Sequence, residues 1–295
     1  MEDFELTLFD RLNVIKDTIK KYGEENFYIS FSGGKDSTTL HHLIDMALPG
    51  NRIPRVYSDT GIELNAIRDF VKALAMTDDR FVILKPMTPI KMTLEKFGYP
   101  FKSKMHSYMV EKYQRLGLIK GVKNYTGQGD KQYFRPCPKK LLYQFTEDFK
   151  LKISDACCLK MKEEPMQKWS SSNNRKIAIT GIMREEGGRR VKASCITIRG
   201  GEVRFFNPLS KSSKDFENWF IEKYGIKLAS VYYPPYNLIR TGCKGCPFAP
   251  ELQEILDMLE KYFPNERKQC EAIWKPVYDE YRRLGYRLKK ENKNG

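Results

Sequence analysis

The sequence predicts an α/β protein whose mostly parallel sheet is doubly wound, with helices on both faces. Three observations carry this. Short β-rich runs alternate with helical periodicity from Phe27 to Lys85. The first run ends on Gly33-Gly34 at the mouth of a helix. Strand character returns at Ile177–Thr180 after a long helical stretch.

Leu8, Leu12, Ile15 and Ile19 recur at helical spacing, and Gly23 follows as a stop. Phe27–Phe31 reads as a strand, Ser37–Leu48 as a helix closed by Pro49-Gly50, and Ile53–Tyr57 as a second strand ending in Ser58-Asp59-Thr60-Gly61. A helix from about Glu63 to Ala75 precedes a third strand at Phe81–Lys85. Met92–Lys152 is helical and rich in lysine and arginine, as an insertion or lid would be. Cys195–Ile198 pairs with Val203–Phe206 through a hairpin at Gly200-Gly201. Helices at about Ser212–Tyr224, Pro250–Tyr262 and Glu266–Leu284 follow. Ser170–Asn174 reads as a polar loop, and Lys289–Lys293 as a basic tail expected to fray. The organisation expected is an α/β domain over 1–248 with an insertion at about 92–152, and a helical extension over 249–295.

The 295 residues carry a formal charge of +15, so the surface attracts polyanions or phosphorylated small molecules. A solubilising surface around a nucleotide pocket accounts for the same charge. No run approaches the roughly 18 apolar residues of a membrane helix, and the acidic Met1-Glu2-Asp3 is unlike a signal peptide. A cytoplasmic protein without membrane partners is expected, and there seven cysteines read as metal ligands or free thiols before disulfides.

The strand ending in Ser32-Gly33-Gly34 lets backbone N–H groups approach phosphate oxygens, and the following helix adds its dipole. A side chain at either glycine would block that approach. Lys35 supplies positive charge, Ser32 and Ser37 offer hydroxyls, and Asp36 orients the loop or helps hold Mg²⁺. A generic glycine turn is the plain alternative, and the full six-residue string after a strand argues against it.

Phe31-Ser32-Gly33-Gly34-Lys35-Asp36-Ser37 resembles the PP-loop of the adenine nucleotide alpha hydrolases, which include ATP pyrophosphatases and the phosphoadenylyl-sulfate (PAPS) reductase family. Asp59-Thr60-Gly61 with Glu63, Gly181-Ile-Met-Arg184-Glu185 with Arg189 and Arg190, and Asn207-Pro208-Leu209 resemble, in order, further elements of the reductase branch. The resemblance spans roughly Phe27 to Phe248. It implies a Rossmann-like adenine nucleotide alpha hydrolase fold that binds ATP or a related nucleotide. Ser32, Gly33, Gly34, Lys35, Asp36, Ser37, Asp59, Gly181, Arg184 and Arg190 would bind it, and Lys35, Asp36, Asp59 and Arg184 would serve catalysis. A strand-end turn, a solvated charge run and a loop cap are the plain readings of Asp59–Gly61, Arg184–Arg190 and Asn207.

Cys157-Cys158 and Cys243-Lys-Gly-Cys246 are two close pairs from distant segments that can converge on one tetrahedral or cubane site. Adjacent cysteines share one ion only with strain but reach different irons comfortably, which favours [4Fe-4S] over zinc. The arrangement also resembles the signature of cluster-containing adenylyl-sulfate reductases, with Lys160 and Lys162 after the vicinal pair. Cys195 and Cys270 read as buried thiols. Cys137, in Arg135-Pro-Cys-Pro138, reads as loop-exposed and a candidate sulfur carrier. His41, His42 and His106 have no metal spacing, and the first two read as packing residues.

The reductases usually carry a catalytic cysteine in a C-terminal tail, and the tail here ends Lys-Asn-Gly295. Lys35, Asp36 and Ser37 stand together as in enzymes that cleave ATP between the α and β phosphates. The expected function is therefore adenylation-linked sulfur transfer, with tRNA or DNA as acceptor on the basic surface and a sulfur-donor protein as partner. A sulfonucleotide reductase using Cys137 or Cys270 is the enzymatic alternative. A non-catalytic nucleotide sensor or nucleic-acid-binding partner is the alternative from another class.

Overall fold

A computed structural model of the chain describes residues 3–131, 133 and 135–290, with Glu186 and Arg189 described by backbone alone. Residues 291–293 of the basic tail and the Arg189 side chain lie outside the described set. Backbone contacts divide the chain into two compact units. The first comprises Met1–Asp59, Glu63–Lys85 and Glu164–Thr241; the second comprises Thr60–Ile62, Pro86–Glu163 and the segment from Gly242 on.

The first unit is a six-stranded sheet of β1 (Phe27–Phe31), β2 (Arg55–Ser58), β3 (Phe81–Leu84), β4 (Ile177–Ile179), β5 (Ile196–Arg199) and β6 (Glu202–Phe206). Its order is β3-β2-β1-β4-β6-β5, parallel except for the β5/β6 hairpin. That hairpin turns at Gly200 and Gly201, both at positive φ as a two-residue turn matching strand twist requires. The central strands are buried along almost their whole length, which is why β1 reads as a continuous apolar run and does not alternate. One face is covered by α1 (Phe4–Tyr22), α2 (Lys35–Ala47) and α9 (Lys214–Lys223), whose apolar residues join Ile29, Phe31 and Ile179 in the main core. On the other face, Met166 and Trp169 of α8 (Glu164–Ser172) pack on Tyr28, Val56 and Ala178. The sheet is thus doubly wound.

Local signals set the ends. Asp3 caps α1 by accepting the N–H groups of Glu5 and Leu6, and Gly23 ends it at φ +80°. β2 starts at Arg55, two residues after Ile53, because Pro54 has no N–H for the ladder; its carbonyl accepts from Ile29 instead. Ser170–Ser172, read as loop, complete α8, which buries Pro165 and packs Met166 and Trp169 on the sheet.

At the amino ends of the central strands, Arg55 is wholly buried, donating to His41 Nδ1 at 3.0 Å, to Asn51 and to Asp45. Arg80 adds bonds to Asp45 and Asp78. His41 therefore does more than pack: burial, and then the Arg55 charge, pull its pKa down to about 3.

The second unit is helical, as the period over Met92–Lys152 predicts. It holds α4 (Ile90–Phe97), α5 (Lys104–Leu116), α6 (Lys120–Thr126) and α7 (Ala156–Cys158), which follow α3 (Asn65–Thr77) of the first unit in sequence, and α10 (Leu252–Tyr262) and α11 (Pro264–Leu284), which follow α9. A π turn at Leu159–Glu163 follows the vicinal cysteines directly. His106 is fully buried in this unit, hydrogen-bonded to Tyr125 at 3.0 Å and to Gln144 at 2.7 Å. No described helix is long and apolar enough to cross a membrane.

Candidate functional site

The order β2-β1-β4 sends the chain to opposite sides of β1, and the crevice beyond the carboxyl ends of such strands is where open α/β sheets bind ligands. The glycine loop leaves β1 there. Gly33 takes φ +72°, and a Cβ on it would come within 2.8 Å of both Ile67 and Val71. Gly34 caps α2, so the helix begins at Lys35, directly after the loop. Ser32 and Ser37 hydroxyls stand 3.0 Å apart, Ser37 also accepts the Ser32 N–H at 3.2 Å, and Ser32 Oγ accepts the Gly34 N–H at 3.3 Å. The two serines staple the loop to the first turn of α2.

Gly181, just past β4, backs onto Asp36 so closely that a Cβ would stand 2.8 Å from the Asp36 carbonyl oxygen. The structure thus brings two separately predicted positions together. Arg190 and Lys35 line a cavity of about 360 Å³ over the loop, shared with Asp36, Lys214, Tyr232, Arg240 and Thr241. Arg184 is exposed, and its Nε donates to the Ala193 carbonyl at 2.7 Å. Asp59 is buried with its two oxygens on Arg68, at 2.8 and 3.0 Å. Asn207 is a buried cap: it accepts from Thr180 and donates to the Ser194 carbonyl.

Five residues that the sequence motifs do not mark stand around this loop. Lys214 Nζ lies 2.6 Å from Asp36 Oδ1 and 3.1 Å from Glu217 Oε2. Burial opposes the Lys214 charge, but the Asp36 and Glu217 carboxylates outweigh it and raise its pKa. Glu217 is fully buried with Oε1 unbonded among the described residues; burial first, then the Asp36 charge, push it up to about 7. Tyr232 accepts the Lys35 N–H at 3.1 Å while its hydroxyl meets Thr241 Oγ1 at 2.6 Å. The Lys35 ammonium lies 5.8 Å from the Tyr232 ring centre and bonds Asn218 at 3.3 Å. The Lys214/Glu217 pair has i,i+3 spacing, which in sequence alone reads as a surface pair.

Cys157, Cys158, Cys243 and Cys246 all belong to the second unit. Cys157 interacts electrostatically with the other three, and Cys246 with Cys243 and Cys158. Burial foremost, then these neighbours, raises both thiols. Among the described residues no three His, Cys, Asp or Glu side chains close on one metal ion. The four cysteines lie in one unit, and Lys162 acts on both Cys157 and Cys246. Cys137, expected on an exposed loop, is buried beside Lys102 with its N–H on the Tyr125 carbonyl; burial pushes its thiol up to about 12. Cys270 is fully buried, also pushed up to about 12 by burial.

No family model matches the chain. An uncharacterized protein of Methanocaldococcus jannaschii is 32% identical over 139 residues, which are 44% of this chain and 33% of the relative; the chain thus matches about a third of that relative's length. Among solved structures, the PAPS reductase of Candida auris in its phosphate complex is 13% identical with a TM-score of 0.41, covering 75% of this chain and 88% of its own. The U34-tRNA thiolase NcsA of Methanococcus maripaludis with its [4Fe-4S] cluster is 14% identical with a TM-score of 0.42, over 98% and 82%. The NH3-dependent NAD synthetase of Campylobacter jejuni in complex with nitrate is 14% identical with a TM-score of 0.42, over 94% and 96%.

Proposed function

We propose that the chain is a PP-loop enzyme of the PAPS reductase family that cleaves ATP between its α and β phosphates to activate an acceptor for sulfur transfer. The observation that carries this reading is the glycine loop at the carboxyl end of β1, with its amides on the helix start and Lys35, Lys214, Arg190 and Arg240 around one cavity. In this reading the Gly33–Lys35 amides and the Ser32 and Ser37 hydroxyls hold the outgoing pyrophosphate. Lys35 and Lys214 neutralise the charge that develops on it. Asp36 helps hold Mg²⁺, which supplies further charge neutralisation; Asp59 instead orients Arg68. Cys157, Cys158, Cys243 and Cys246 would hold a [4Fe-4S] cluster with one thiolate on each iron, and the cluster would help position the sulfur being moved. tRNA or DNA on the basic surface is the acceptor favoured by the charge, and a donor protein brings the sulfur.

Burial of Cys137 and Cys270 weighs against the sulfonucleotide reductase alternative, because a buried thiol without a lowered pKa is a poor nucleophile. The test is pyrophosphate release by anaerobically purified protein with ATP alone, ATP with bulk tRNA or DNA, or adenylyl sulfate with a thiol reductant. Pyrophosphate from ATP, lost in Lys35→Ala, is expected. Sulfite from adenylyl sulfate without ATP turnover would replace this reading by the reductase one.

A further inference from the structure

Three backbone carbonyls in and just after the Cys243–Cys246 loop, those of Lys244, Gly245 and Pro247, are taken up by side chains of a single helix. Trp274 Nε1 donates to the Lys244 carbonyl at 3.1 Å, the Tyr278 hydroxyl donates to the Gly245 carbonyl, and the Tyr281 hydroxyl donates to the Pro247 carbonyl at 2.8 Å. Positions 274, 278 and 281 are one face of α11 by helical spacing, and all three side chains are fully buried. Arg287 gives Pro247 a second donor, and Lys102 N–H donates to the Tyr281 hydroxyl at 2.7 Å. Gly245 permits the approach: it has φ +58°, and a Cβ there would stand 2.3 Å from the Tyr278 hydroxyl and 2.8 Å from Cys270 Sγ. Lys244, between the cysteines, is buried on Glu266 at 3.1 Å and Gln269 at 2.6 Å. The common effect of these donors is to fix which way the peptide groups of the loop point.

Direction matters because a trans peptide holds its C=O and N–H on opposite sides. With the Pro247 carbonyl turned to Tyr281 and Arg287, the N–H of the same peptide, on Phe248, points the other way. We propose that Trp274, Tyr278 and Tyr281 are positioning residues for the Cys243–Cys246 loop, and that Tyr281 in particular directs the Phe248 amide to the Cys246 sulfur. Amide hydrogen bonds to ligand sulfur are one of the levers that set a cluster's reduction potential. The helix therefore acts on the bound group without touching it. The spectroscopic part of this inference rests on the cluster reading above; the backbone part does not.

The test uses the full chain and Tyr281→Phe, which keeps the ring against Phe101 and removes only the hydroxyl. Tyr278→Phe and Trp274→Phe are the companion variants, each checked for an unchanged thermal midpoint to within a few degrees. In iron-free protein, hydrogen exchange at the Phe248 amide is expected to speed up about tenfold in Tyr281→Phe, with the β1 amides unchanged. After anaerobic reconstitution with iron and sulfide, the same variant is expected to lose iron to a chelator severalfold faster and to show a more negative cluster potential. Unchanged exchange at Phe248 overturns the positioning role. Faster exchange with an unmoved potential overturns its reach to the sulfur. A wild-type chain that takes up no iron overturns the cluster reading, and the exchange measurement then decides the positioning role alone.

Discussion

The Tyr232 hydroxyl accepts the backbone N–H of Lys35 at 3.1 Å, across 197 positions of sequence. That amide is one of those a phosphate oxygen needs, so the tyrosine stands in an anion's place. Removing the hydroxyl frees the donor. Tyr232→Phe is expected to bind pyrophosphate about fivefold more tightly, the worth of one hydrogen bond of ~1 kcal/mol. Calorimetric titration with pyrophosphate checks it; weaker binding in the variant would instead make Tyr232 part of the phosphate cradle.

Gly181 meets the backbone of Asp36, which cannot give way as a flexible side chain can. Gly181→Ala is expected to push the start of α2 from the sheet and to cost about 1–3 kcal/mol. Nucleotide affinity should fall with it. A urea midpoint and an ATP titration equal to wild type would show that the crevice has more slack than the contact distances indicate.

Buried histidines make the chain acid-sensitive above the carboxylate range. His41 is held at about 3 and His106 at about 4, both chiefly by burial, from an ordinary 6.5. Between pH 6.5 and those values the unfolded chain binds protons that the native one does not, so stability is full above 6.5 and falls as pH drops. The slope reaches about 1.4 kcal/mol per pH unit for each histidine. Urea midpoints at pH 7.5, 6 and 5 should decline in that order, and His106→Gln should flatten the decline; a midpoint rising toward pH 5 contradicts it.

Cys137 and Cys270 should resist alkylation. With thiols pushed up to about 12, both are expected to label with iodoacetamide at pH 7.5 far more slowly than free cysteine, read by mass spectrometry of the folded chain. Cys137→Ser and Cys270→Ser should each retain turnover. Fast labelling of Cys137 together with lost turnover would restore the reductase alternative.

What could be read in advance was what lies close together in the chain. Phe27–Phe31, the two glycines and the helix from Lys35 are consecutive, so one window holds strand, loop and helix start. The cysteine pairs are legible as pairs for the same reason. Tyr232 and Thr241 reach the loop by tertiary return from a Tyr- and Pro-rich stretch without periodicity, and no window contains both partners. Lys214 and Glu217 were visible as neighbours on a helix, but their burial beside Asp36 depends on how α9 packs on α2. Cys137 misled because prolines on both sides signal a loop, and a loop can still be buried.

The arginine network at the opposite ends of the strands bears on how this protein meets heat. Arg55, Arg80, Asp45, Asp78 and His41 tie the last turn of α2, the start of β2 and the turn before β3 into one charged knot. The cost of taking charges out of water shrinks as temperature rises, so such a knot gains weight while apolar burial levels off. Warming therefore loosens the two ends of the sheet unequally: the amino ends of the strands stay clamped, and the softening falls to the carboxyl ends, where the phosphate loop has to adapt to whatever it holds.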